Sequence, residues 1–432
     1  MSFLRKSQLY FIFSFFALII IGALLLWSPL VTNNGQSINF VDAVFTATSA
    51  VCVTGLTTVN TSGFNHFGQI IILMLIQLGA IGIMSLTSTI IFFVRQEMSI
   101  SDKALMASAS GGFPVKELKK LMIIVFLYTA AIEIAGIFIL TIGFWGMTDN
   151  NIFQALYLAT FHSISAFCNA GFSTFDDSLM RVNPLVKHTI GLLIILGGLG
   201  IYVIYDIWQF LRHRVRFRIY SRIVIGTTLF LIFGGAIAIK FMEWASEKYI
   251  SFGDALFQSV TARTAGFNSV DITAFSAPTT IIMVILMIIG ASPGSTGGGM
   301  KTTTAALVFL SIYNIFKGKT NVVVFKRTIP MPNILKAFTI CFTFIGLTVI
   351  GATLLSFGGD FTLKDVVFEV VSALGTVGLS EGVTSRCSIY GKMILIIFMF
   401  LGRIGPFTFF LFLLSKEKDS NLRYPEEKII LG

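Results

Sequence analysis

Four stretches decide how this chain is read: Phe45-TATSAVCVTG-Leu56, Phe161-HSISAFCNAG-Phe172, Phe257-QSVTARTAG-Phe267 and Phe368-EVVSALGTVG-Leu379. Each opens on Phe and carries Ser or Thr and then Ala four and five positions on (Ser49-Ala50, Ser165-Ala166, Thr261-Ala262, Ser372-Ala373). Each then reaches a Gly followed by Leu or Phe. The Phe-to-Gly step is ten residues in the first, second and fourth words and nine in the third. Matching words at near-even intervals mark an internal repeat, which has to be settled before any single segment.

The words sit in matching surroundings. The chain is 55% hydrophobic and only 12% charged, where a soluble domain carries about 25% charged residues. Apolar runs exceed the ~18 residues that mark a membrane span. Pairs of spans flank the words near 9–30 and 68–94, 120–145 and 187–211, 220–243 and 279–316, and 335–357 and 391–414. The run from Leu9 to Leu30 is too long for a signal h-region and lacks a small-x-small cleavage site, so it reads as a retained span. Each stretch between paired spans is too short to cross a bilayer of ~30 Å and return. It therefore enters and leaves on one side, as a half-helix with an irregular return.

The half-helices carry their own start signals. Asn39, Ser251 and Thr362 lie six residues before the key Phe, and Asp42, Asp254 and Asp365 three before it. A capping residue with an acid three later opens a helix and suits the positive end of its dipole. In the second copy Ala155 and Leu158 hold those slots, while Asn151 and Gln154 repeat the pattern one turn earlier, so that half-helix is expected to be longer.

The net charge of +10 does not indicate nucleic acid, because the basic residues alternate with the spans. Arg5 and Lys6, Arg95 to Lys120, Arg212 to Arg222, Lys317 to Lys336 and Lys416 to Lys428 fall in the termini and inter-copy linkers. The positive-inside rule then makes both termini cytoplasmic in a multi-pass cell (inner or plasma) membrane protein, with the words entering from outside. Trp27, Trp145 and Trp244 close the outer ends of first spans, where an aromatic belt belongs. Cys52, Cys168, Cys341 and Cys387 suggest no disulfide framework. The four His are dispersed, and the Gly-rich Gly294–Gly299 lies within a span rather than before a helix. No metal-ligand spacing, phosphate loop or organic cofactor site is expected, and no nucleophile–base set suggests an enzyme.

A half-helix entering from outside aims its partly negative C-terminus at the membrane centre, which favours a cation. Irregular backbone at that depth must be buried or line a watery path. Four such turns supply rings of backbone carbonyls that replace a cation's water shell. The candidates are Val53, Thr54 and Gly55; Asn169, Ala170 and Gly171; Thr264, Ala265 and Gly266; and Thr376, Val377 and Gly378. Gly at the last position permits positive φ. Close helix packing alone is the bland account of these glycines, and recurrence in four matched settings counts against it. The expected fold is an all-α integral membrane protein, with four consecutive span–half-helix–filter–span (M1-P-M2) repeats around one pseudo-fourfold ion pore. Repeat boundaries fall at 1–95, 96–214, 215–320 and 321–432, the last ending in a cytoplasmic tail.

Arg263, three before Gly266, is expected to point away from a cation path toward a half-helix carboxylate or carbonyl. Asp176 and Asp177 either attract cations at the outer mouth or form a solvated loop. Glu133, mid-span, is either functional or a structural partner between helices. Every second span also carries glycines: Gly79 and Gly82; Gly197, Gly198 and Gly200; Gly290 onward; and Gly402 and Gly405. In copies one, two and four they read as small residues at helix crossings. In copy three Ala291, Ser292, Pro293, Gly294, Ser295, Thr296, Gly297, Gly298 and Gly299 hold too many breakers for a helix, so 291–299 is an intramembrane loop. Arg403 lies as far after Gly378 as Ala291 does after Gly266, so charge and loop should meet beneath the words and form a gate.

The four words, the broken helix Ala291-SPGSTGGG-Met300 and Leu401-GRIG-Pro406 together resemble the Trk/Ktr/HKT superfamily of potassium transporters, specifically its Ktr-type (KtrB-like) membrane subunit. The resemblance covers essentially the whole chain. It implies potassium uptake driven by the membrane potential, and Gly rather than Ser at position 55 goes with potassium preference. It also implies a homodimer, each protomer with its own pore, seated on a cytoplasmic nucleotide-binding ring of the RCK type. Sodium as an activator stays open. The competing reading is a symporter that couples potassium to sodium or protons at a midplane site.

Overall fold

The computed structural model describes residues 3–94, 118–319 and 321–405. Its helices run in chain order. They begin with α1 Phe3–Trp27, α2 Phe40–Val51 and α3 His66–Val94. Next come α4 Leu118–Trp145, α5 Ile152–Phe167, α6 Pro184–Gly198 and α7 Ile201–His213. Then follow α8 Ile219–Ala245, α9 Phe252–Thr261, α10 Ala277–Ile288 and α11 Thr302–Phe316. The last are α12 Met331–Leu355, α13 Leu363–Gly375, the single turn α14 Val383–Arg386, and α15 Ile389–Ile404. One small hairpin departs from the all-α expectation, with Val323 opposite Thr328 and Val324 opposite Arg327.

Among the described residues, α8, α12 and the Ile123–Trp145 part of α4 are long and apolar enough to cross a membrane, and the bent pair α6–α7 makes a fourth candidate. α1 and α3 run 25 and 29 residues, beyond the ~20 that span the hydrocarbon. Large apolar side chains stand exposed along α4, α8 and α12, among them Phe138, Phe230 and Phe342, as a lipid-facing surface requires. The linker at 95–117 with its basic residues and the first repeat boundary lies outside the described residues. So do the end of the span read at 391–414 and the tail.

The short helices start where the caps lie. The Asn39 side chain accepts from Val41 N, Ser251 from Asp254 N, and Thr362 forms a full capping box with Asp365. Asn151 caps α5, which at 16 residues is longer than α2, α9 or α13. Phe45, Phe161, Phe257 and Phe368 are buried, so the opening Phe of each word anchors its half-helix in the core.

The span glycines have a common reason. A Cβ on Gly79 would lie 2.1 Å from Val51 O, on Gly197 1.9 Å from Phe167 O, and on Gly402 2.0 Å from Leu374 O. In each case the end of a half-helix rests directly on the span that follows it. In copies one and four this agrees with the crossing reading. Copy two agrees at Gly197 and departs at Gly200, because the helix breaks at Leu199–Gly200 and the two halves bend by 95°. Gly200 takes φ 84° and sits against Pro293 O. The released carbonyls Gly197 O and Gly198 O accept from Thr296 N and Ser292 N at 3.3 and 3.1 Å. The break exists because the copy-three loop completes its hydrogen bonds.

Candidate functional site

The four words turn alike. Val53, Asn169, Thr264 and Thr376 are left-handed (φ 56°, 59°, 71° and 48°), and two residues later Gly55, Gly171, Gly266 and Gly378 take φ 95°, 71°, 79° and 95°. Sequence reasoning assigned positive φ to the Gly alone. The second such position falls on residues that adopt it only under constraint. The constraint lies in the matched Ser/Thr-Ala pair. The carbonyls of Ser49, Ser165, Thr261 and Ser372 accept from Thr54 N, Ala170 N, Ala265 N and Val377 N at 2.8–2.9 Å. The Ala50, Ala166 and Ala373 carbonyls accept from Val53 N, Asn169 N and Thr376 N. Ser49 Oγ and Ser372 Oγ also accept from Gly55 N and Gly378 N. The repeated Ser/Thr was visible as a pattern without its role.

The words meet in cyclic order. A Cβ on Gly55 would lie 2.5 Å from Ala170 O, on Gly171 2.7 Å from Ala265 O, on Gly266 2.6 Å from Val377 O, and on Gly378 2.2 Å from Thr54 O. All four glycines line one cavity of about 160 Å³ together with Asp176, whose carboxylate accepts from Asn60 and Ser62. A second set of contacts runs in the same order, from the residue three after each second-span helix start to the next copy. Gln69 accepts from Tyr157, and Lys187 Nζ reaches Asp254 at 3.2 Å. Thr280 donates to Glu381 at 3.2 Å, and Lys392 Nζ reaches Asp42 at 2.6 Å.

Beneath the words, residues 289–301 form an irregular loop. Ile201 N donates to Gly294 O and Tyr220 Oη to Pro293 O. Buried Arg403 donates through Nη1 to Thr296 O and through Nη2 to Gly79 O at 3.1 Å, so charge and loop meet. Lys301 Nζ holds Gly297 O at 2.7 Å. That second cation was not assigned a role from sequence, although its place directly after the glycine run was the available signal.

Arg263 departs from expectation. It is buried, its Nε has no partner, and among the described residues no carboxylate pairs with it. It lines a cavity of about 10 Å³ with Asn169, Thr228 and Gly198, all neutral groups. Glu133 has a partner between helices, since Gln77 Nε2 donates to both its carboxylate oxygens at 3.1 and 3.2 Å. Asp177 pairs with exposed Arg181 at 2.8 Å.

Compared with known proteins, residues 4–424 match the TrkH family, described as cation transport protein. The chain belongs to this family. It is 36% identical to the potassium/sodium uptake protein NtpJ of Enterococcus hirae, over 97% of this chain and 95% of that one. It is 35% identical to the Ktr system potassium uptake protein B of Bacillus subtilis, again over 97% and 95%. In fold it is similar to the crystal structure of the potassium transporter TrkH from Vibrio parahaemolyticus, with a TM-score of 0.75 at 20% identity, covering 96% and 85% of the two chains. TrkH-family chains are ion transporters and not enzymes, and this one is an integral membrane protein built of helices.

Proposed function

We propose that this chain is the potassium-uptake subunit of a Ktr-type system, and that potassium passes down the membrane potential through a pseudo-fourfold ring made by the four words. The observation that carries this reading is the cyclic contact of each glycine with the middle carbonyl of the next word. Four short helices end at that ring, so their partly negative C-termini favour a cation there. The carbonyls of Val53, Thr54, Gly55 and their counterparts replace water around a dehydrated ion. A cation entering a cell at −100 mV gains ~2.3 kcal/mol, which is enough to drive accumulation.

The loop at 291–299, with Arg403 and Lys301 on its carbonyls, acts as the gate, since two fixed cations oppose a passing cation. The subunit sits as a homodimer in the cell membrane with termini and linkers inside, on a nucleotide-binding cytoplasmic ring that moves the flanking third-copy helices. The names of the relatives support potassium uptake, and the alternation of basic linkers with spans supports the orientation. Rubidium uptake into proteoliposomes under an imposed potential, with and without sodium, tests the reading. Uptake that follows the potential alone supports a channel-like path. Uptake absent without a sodium or proton gradient would establish the coupled symporter instead.

A further inference from the structure

We infer that Glu133 and Gln77 form a positioning pair that holds the second word in its selective geometry; this rests on the filter reading above. Glu133 is 8% exposed within α4. Both its carboxylate oxygens accept from Gln77 Nε2 of α3. With its amide nitrogen spent there, Gln77 turns Oε1 to the Cys168 thiol, which donates across 3.2 Å. The donors run one way, from thiol to amide oxygen and from amide nitrogen to carboxylate. Cys168 immediately precedes Asn169, the left-handed residue that begins the filter segment of the second word. Glu133 grips the same half-helix again through its backbone, where its carbonyl accepts from Ser163 Oγ at 2.8 Å.

Packing alone would not need a carboxylate here. A buried charge with a neutral partner is costly at membrane depth, and an apolar pair would join α3 to α4 without that cost. What the carboxylate adds is a fixed orientation of Gln77, because it can only accept, so the amide nitrogen faces it and the amide oxygen faces the Cys168 thiol. Gly79, two residues beyond Gln77, accepts from Arg403. One short segment of α3 thus stands between a carboxylate and the gate guanidinium. Carbonyl position decides selectivity in such a ring, so loss of the tie is expected to appear in ion discrimination before it appears in folding.

The test measures competition of sodium against rubidium uptake in proteoliposomes carrying the full chain. Glu133→Ala should lower rubidium preference roughly tenfold, the scale of one hydrogen bond to a charged group, and Cys168→Ala, which removes a weaker neutral bond, roughly fivefold. The double variant should be no worse than Glu133→Ala alone, because both break one chain of bonds. Cys168→Ser keeps a donor and should stay within about twofold of the parent. If Glu133→Ala fails to reach the membrane, Gln77→Leu breaks the same tie on an apolar span and should show the same fall. Unchanged preference in whichever of these variants reaches the membrane, or Cys168→Ser falling as far as Cys168→Ala, overturns the inference. A parent that shows no rubidium preference at all overturns the filter reading instead.

Discussion

The carbonyl oxygen of Thr54 occupies the space a side chain on Gly378 would need, 2.2 Å from the position of its Cβ. This contact joins the fourth word to the first across most of the chain, and the other three glycines meet the next word in the same way. No residue with a side chain fits any of the four places without moving a backbone carbonyl. The fold thus repeats one left-handed turn four times at the place where the proposed filter needs carbonyls.

The outer clasps carry the first prediction. Lys392 and Asp42 are half-buried and 2.6 Å apart, which is worth about 1–2 kcal/mol as a charge-assisted hydrogen bond. Lys392→Met should lower the thermal midpoint of the purified protein by several degrees. Asp42→Asn added to it should cost little more, since both remove one interaction. Additive losses in melting curves of the single and double variants would show that the two residues act separately.

The loop carries the second. Arg403→Ala, or deletion of Gly294–Gly299, should raise basal rubidium uptake and weaken its dependence on the nucleotide state of the ring. Tight regulation in variants that reach the membrane would place the gate elsewhere.

Lys301 extends that test. It holds Gly297 O just as Arg403 holds Thr296 O. Lys301→Met should therefore also raise basal uptake, and Lys301→Met with Arg403→Ala should exceed either alone by less than the product of their effects. Uptake at the parental rate in Lys301→Met would leave Arg403 as the sole closing charge.

Much of this architecture was legible from the chain. Asn39, Ser251 and Thr362 marked helix starts because capping is local chemistry. The four words gave the turns because their glycines recur at one spacing. The break at Gly200 was not legible, since it depends on Pro293 and Ser292 arriving from another copy. Gly197 and Gly200 keep the spacing of Gly79 and Gly82 in copy one, whose span continues. The left-handed Val53 and Thr376 were missed for a similar reason, because neither residue prefers that conformation and only the carbonyls of the preceding turn impose it. Arg263 stands among neutral groups that no spacing could have announced.

The face proposed to be cytoplasmic yields the fourth prediction. Arg218 is paired with Asp206, whereas exposed Arg212 and Arg214 lie over the rings of Trp208 and Phe210 and Arg216 is exposed. Reversing those three charges should reduce co-purification with the nucleotide-binding ring and lower the regulated fraction of uptake. Binding at the parental level would restrict them to setting topology.

The most direct measurement is ion competition in Gly55→Ser. At φ 95° and 2.5 Å from Ala170 O, a side chain there must displace a carbonyl of the ring. The account predicts that sodium will compete with rubidium about tenfold better in this variant than in the parent, the change expected from ~1.4 kcal/mol lost at the site. Unchanged discrimination in a variant that folds and transports would contradict it, and would make Gly55 a packing residue.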